Sequence, residues 1–363
     1  MVLASALLSS SCRLRLHCRS SVALEDGHHL AYEATYGSEA TVDQAAYESA
    51  EFWRQVADAV PGFHDAPELE RYRGWVANLI NRRPGECTTT ETGQELLTQY
   101  IFPGLQDPEE VERTPFPVLA EVQDALERLA PTAQEELTAL LRARPLIDDD
   151  APELGYDDEE EEEEGGGEVW NRAAWYGWQF LALRDAKPWM PQTIRALEAS
   201  VPLAHRFIGI ARQRASCRGT LHSDRRNYLL STLTGLDVPE GQCAVVVPGS
   251  GERVLRDGGV VLLDNTFKHY VYNDHPTLDR FVLMAEIWHP ALTERERDAI
   301  GTTFAVKDRF TLTHLQQCPW GFSDDELMAA ISSKQFKQLD FWRRCSFGLD
   351  ATAAVEHHAS VEA

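Results

Sequence analysis

No run of apolar residues in this 363-residue chain approaches the ~18 needed to cross a bilayer as a helix. Basic residues are scarce, with 34 Lys and Arg against 58 Asp and Glu. The chain also has no basic tract of the kind that attracts a phosphate backbone, which argues against a nucleic-acid partner. Cysteine is thinly spread. Cys12, Cys18, Cys87, Cys217, Cys243, Cys318 and Cys345 form no Cys-x-x-Cys, so neither a disulfide framework nor a structural zinc site is expected, and a reducing compartment is. A 34-residue helical repeat is absent too.

What the chain does have is enough apolar material for a large core: 43% hydrophobic residues, nine of them Trp. The formal charge of −24 is uneven. Thirteen acids lie between Asp148 and Glu168 with no Lys or Arg among them, and without them the charge falls from −24 to −11, ordinary for an acidic globular protein. That stretch cannot bury anything and reads as a disordered linker over 147–168. The amino terminus is Ser-rich and carries Arg13, Arg15 and Arg19 before its first acid, Glu25. This is the profile of an organelle transit peptide over 1–40, although a disordered basic tail fits the same residues. An intracellular protein, plastid or mitochondrial if the peptide acts, is the expectation.

Residues 41–146 read as helical, with two helices in "PFPVLAEVQDALERLAPTAQEELTALLRARP" broken at Pro131 and nothing that suggests chemistry. Trp170, Trp175, Trp178 and Phe180 form an aromatic cluster suited to a core or a sheet edge. A helix follows at "MPQTIRALEASVPL". The texture then changes to short strands punctuated by Gly and Pro, from "HRFIGIARQ" to "RFVLMAEIWH". Seven such strands fit a jelly roll over 169–300, with a helical extension and tail over 301–363. The expected class is α+β, with helical regions on either side of the strands.

Within the strands, "HSDRRNYLLSTLTGL" places His222 and Asp224 two apart at the head of an apparent strand, where side chains i and i+2 share a face. An imidazole and a carboxylate converging on one point are two-thirds of a facial iron site. With 12 His in the chain one such pair arises by chance, so it needs partners. His269 lies 47 residues on, after the strand "GVVLLDN", and Arg280 opens the apolar strand "RFVLMAEIWH" eleven residues later. An Arg there either faces water or points inward to grip a carboxylate through two parallel hydrogen bonds. The order His-x-Asp, His, Arg matches a non-haem iron oxygenase that uses 2-oxoglutarate. His289 in "WHP" suits a turn, and Cys217 and Cys243 suit small core positions.

The stretches "HSDRRNYLLSTLTGLDVPEG" and "DNTFKHYVYNDHPTLDRFVLMAEIWHPALTERER" together resemble the aspartyl/asparaginyl β-hydroxylase family, with Trp288, His289, Pro290, Leu292 and Thr293 the most distinctive residues. The resemblance spans roughly 170–298. It implies a double-stranded β-helix that binds Fe(II) and 2-oxoglutarate, consumes O2 and inserts oxygen into a C–H bond. His222 and His269 fall on the family's iron-ligating histidines and Arg280 on its 2-oxoglutarate arginine. Two departures stand out. Asp224 occupies a position that is Gly in animal members, which gives this chain a full His, Asp, His triad. Ser231 and Leu233 stand where the family has a basic Arg-x-His, leaving one hydroxyl for the 1-carboxylate of 2-oxoglutarate; Arg212, Arg214, Arg225 and Arg226 are the basic residues nearby. The resemblance implies a peptidyl, amino-acid or lipid substrate. A binding or scaffold protein that keeps the β-helix without turnover is the rival expectation, and a metal cupin indifferent to Arg280 is a third.

Overall fold

The computed structural model describes residues 44–83, 85–105, 114–143, 171–175, 178–182, 189–219 and 221–315. The expected transit peptide, the acidic stretch and most of the carboxy-terminal extension therefore lie outside the described residues.

The first helices carry aromatic stripes. α1 (Ala50–Ala59) is capped by Ser49, whose Oγ accepts from the Phe52 N–H at 3.3 Å. α2 (Glu70–Asn81) buries Tyr72, Trp75, Val76 and Leu79 on one face. A short hairpin of β1 (Cys87–Thr89) and β2 (Glu95–Leu97) follows. This corrects the all-helical expectation for 41–146. The residues between β1 and β2 include Gly93 at φ +87°, a left-handed turn position that a glycine adopts freely.

α3 (Ala120–Ala143) corrects a second expectation, because it runs unbroken through Pro131. Proline removes one helical N–H and costs about 3 kcal/mol in a helix interior. Val122, Leu126, Leu129, Leu137 and Leu140 are buried along one stripe. At about 1.5–3 kcal/mol for each such side chain, their burial outweighs the proline.

The strands form two antiparallel sheets. The first has the order β10 (Val260–Leu263), β7 (Leu229–Asp237), β12 (Arg280–Trp288), β5 (Leu203–Gln213), β4 (Trp178–Ala182), β3 (Asn171–Trp175). The aromatic segment thus lies at the edge of this sheet. The second has the order β6 (Cys217–Arg218), β11 (Tyr270–Asn273), β8 (Cys243–Val247), β9 (Gly251–Val254). From β5 to β12 the chain passes back and forth between the two, with only β8 and β9 consecutive in one sheet.

Side-chain alternation assigns the faces. Phe281, Leu283, Ala285 and Ile287 of β12 pack with Leu230 and Ile210 against α3 and α4 (Pro191–Ser200). Val282 instead joins Ala211, Leu233 and Leu263 against Cys243, Val245 and Val271 of the second sheet. Arg280, Met284 and Glu286 share the face of Val282, so they point between the sheets. At the far end, Tyr228, Leu229 and Trp288 join the core of α1, α2 and α5 (Glu294–Phe310). No helix among the described residues is long and apolar enough to cross a membrane.

Candidate active site

The two candidate histidines meet. His222 and His269 form an isolated antiparallel bridge, with His222 N–H donating to the His269 carbonyl at 3.0 Å and His269 N–H returning the bond at 2.8 Å. Their ring centroids are 4.5 Å apart. His269 is buried, and its Nδ1 lies 2.9 Å from the Phe267 carbonyl, an acceptor only, so Nδ1 carries the proton and Nε2 presents its lone pair. Burial, reinforced by His222, pushes its pKa down to about 4, and the nearby Asp224 charge partly opposes this. At neutral pH the imidazole is uncharged, the state a metal requires.

Asp224 sits close by, although not as the start of a strand. His222 to Asp224 lies in a connection before β7, and Arg225 at φ +62° ends any extended run. The Asp224 N–H donates to the Asn265 carbonyl at 2.7 Å, and its Oδ2 accepts from Asn265 Nδ2 at 2.9 Å. Among the described residues, no three His, Cys, Asp or Glu side chains are drawn together as an ion-holding cluster; Asp224 is engaged by Asn265. The donor chemistry nonetheless fits a divalent iron: two imidazoles, one with a fixed tautomer, and one carboxylate on adjacent backbone.

Arg280 points inward and is completely buried. Burial lowers its pKa to about 10, which leaves it a cation at neutral pH. Cys243 is its electrostatic neighbour, and Cys243 pairs in register with Asn273 of β11. Asn273 is four residues beyond His269, which immediately precedes β11, about 13 Å along extended backbone. Arg280 opens β12 of the first sheet, and His269 immediately precedes β11 of the second. Met284 is the one residue of β12 that is only partly buried.

Ser231 is buried and its Oγ accepts from Asn265 Nδ2 at 3.1 Å, so its own proton is directed elsewhere. Leu233 is a core residue. Of the nearby arginines, Arg212 pairs with Asp279, Arg226 stacks over Tyr100, and Arg225 lies 3.8 Å from Glu95. His289 shapes a turn, accepting at Nδ1 from the Ala291 N–H.

The sequence reading missed Asn265, the buried Glu286, which pairs in register with Ser231, and the β1–β2 hairpin. Gln94 Nε2 donates to Asp264 Oδ2 at 2.9 Å and to Thr266 Oγ1 at 2.8 Å. Glu95 accepts from Ser223 Oγ at 2.8 Å and pairs with Lys268 at 3.0 Å. Asn265 was within reach of a local reading, four residues before His269. Gln94 and Glu95, more than 120 residues from Ser223, carried no local signal.

With this geometry in place, comparison with known proteins is informative. Residues 129–290 match the family described as Aspartyl/Asparaginyl beta-hydroxylase. That span includes His222, Asp224, Ser231, His269 and Arg280 and excludes the β1–β2 hairpin. A mouse protein named Aspartyl/asparaginyl beta-hydroxylase is 28% identical over 79 residues, 22% of this chain and 10% of that protein. Mouse Aspartate beta-hydroxylase domain-containing protein 2 is 32% identical over 88 residues, 24% of this chain and 25% of that protein. The chain thus spans a quarter or less of these relatives. The crystal structure of a Pseudomonas putida prolyl-4-hydroxylase superposes at TM-score 0.27 and 14% identity, covering 50% of this chain and 95% of that one, and at that score no argument rests on it. The family match points to a hydroxylase.

Proposed function

We propose that the chain is an Fe(II)- and 2-oxoglutarate-dependent dioxygenase that hydroxylates a C–H bond, built on a double-stranded β-helix. The interleaving of β5 to β12 between two antiparallel sheets is the pattern expected of such a jelly roll. The observation that carries the reading is the bridge that pairs His222 with His269, together with a fully buried Arg280 on β12.

His222, His269 and Asp224 would hold Fe(II), leaving open positions for the 2-oxo and 1-carboxylate oxygens of the co-substrate. The bound metal, with O2 and 2-oxoglutarate, supplies the oxidising chemistry. The chain's own groups ligate, orient and keep water out. Phe267's carbonyl fixes the His269 tautomer, Asn265 steadies Asp224, and Arg280 receives the distal carboxylate in a fork that only Arg offers. The Ser231 proton, left over after its bond from Asn265, is available to the 1-carboxylate. The family's name puts a peptidyl aspartyl or asparaginyl residue first among substrates, ahead of a free amino acid or a lipid. The scattered cysteines support an intracellular setting, plastid or mitochondrial where the Arg-bearing amino terminus acts as a transit peptide and cytoplasmic otherwise.

Leu233, packed in the core, leaves β7 without a basic group, and this favours the second reading, a folded scaffold without turnover. Anaerobic titration with Fe(II) and then 2-oxoglutarate separates the two. A visible charge-transfer band in the wild type, lost in His222→Ala, is expected of the enzyme. A folded wild type without that band would establish the scaffold.

A further inference from the structure

The hairpin lies outside the family match, yet it is bonded to both histidine-bearing segments. We infer that Glu95, with Gln94, is a positioning residue that clamps the segment 222–225 to the segment 264–269 and so sets the spacing of His222 and His269. This deepens the dioxygenase reading and rests on it for its consequence.

Seven contacts of the hairpin converge on the first segment or the second. Glu95 accepts from Ser223, the residue between His222 and Asp224, and pairs with Lys268, the residue before His269. The Glu95 N–H donates to the Thr266 carbonyl at 2.8 Å, and the Leu97 N–H donates to the Arg225 carbonyl at 3.1 Å. Gln94 is almost fully buried and bridges to Phe267 while its amide holds Asp264 and Thr266. Arg225 is held in a left-handed conformation unusual for a side-chain-bearing residue, which persists only where the surroundings enforce it, and Leu97 supplies one of those restraints. Lys268 is half exposed, so its ion pair contributes little. The Ser223 bond and the backbone bonds do most of the holding. The two histidines share one two-bond bridge, and a single bridge frays unless its flanks are fixed.

The test uses the full chain. Hydrogen–deuterium exchange on metal-free Glu95→Ala should show faster exchange confined to 221–226 and 264–270, with α3 and β12 unchanged. Mn(II) affinity, read by electron paramagnetic resonance of the free ion, should weaken about tenfold or more, the usual effect of losing a group that orients a ligand. Glu95→Gln keeps an acceptor for Ser223 and loses the charge; it should recover most of the protection and affinity, and it carries the test if Glu95→Ala does not fold. Unchanged local exchange in both variants, or exchange raised uniformly across the molecule, would overturn the clamp. The exchange measurement needs no metal. A wild type that binds no Mn(II) would therefore sink the dioxygenase reading, while the exchange result judges the clamp on its own.

Discussion

At the scale of single residues, Arg280 separates the dioxygenase from its rivals. A carboxylate held by two charge-assisted hydrogen bonds in a water-poor space loses on the order of 2–4 kcal/mol when its partner is removed. Arg280→Ala should raise the apparent 2-oxoglutarate constant by roughly thirty- to a thousandfold while leaving metal affinity nearly unchanged. Arg280→Lys should recover part of the loss, since the ammonium keeps the charge without the fork. Equal thermal stabilisation by 2-oxoglutarate in wild type and Arg280→Ala would remove the proposed binding mode. Asp224 gives the complementary result. Asp224→Ala should weaken Mn(II) binding strongly at an unchanged melting temperature, because its side chain is only half-buried and its carboxylate accepts a single amide hydrogen bond from Asn265. A melting temperature that falls with intact metal affinity would make Asp224 a structural group.

At the scale of elements, two contacts join pieces that are far apart in sequence. Glu136 of α3 caps α4, its carboxylate accepting from the Gln192 and Thr193 N–H groups at 2.9 Å each and from Thr193 Oγ1 at 2.7 Å. Glu136→Ala removes that cap and leaves a buried helix end unsatisfied, so chemical denaturation should show a loss of about 1–3 kcal/mol. In β7, Gly235 lets the Arg256 carbonyl approach so closely that an added Cβ would lie 2.0 Å from it. Gly235→Ala should therefore cost about 2 kcal/mol or more as the 256–259 turn is displaced, again read as a shift in the denaturation midpoint. These features mark the limit of what was legible. The strands around Val245, Val261 and Val282 and the order His222, Asp224, His269, Arg280 were readable because alternation and short spacing are local properties. The continuity of α3 through Pro131 was not, because it is decided by the sheet face that its leucines cover. The Gln94 and Glu95 contacts were not either, because a polar pair in a short hairpin gives no sign of a partner more than 120 residues away.

For the molecule as a whole, the amino-terminal helices are part of the same core as the strands. Tyr228, Leu229 and Trp288 pack with Tyr72, Trp75, Leu79 and Phe102. A fragment beginning at residue 114 should retain the family-matched segment and still fail to fold cooperatively, showing weak near-ultraviolet dichroism and binding of a hydrophobic dye; a sharp unfolding transition in that fragment would show the helices to be an independent addition. The sheet order has a temporal consequence as well. β12 lies between β5 and β7 and pairs with both, yet it is the last strand in sequence among the described residues. While the roughly fifty residues after β7 emerge from the ribosome, at about 5–20 residues per second, both of those strands wait for several seconds with an open flank. The candidate iron ligands are all made before this strand and the co-substrate anchor only with it, so a nascent chain stalled before Arg280 carries His222, Asp224 and His269 with neither the closed first sheet nor the anchor.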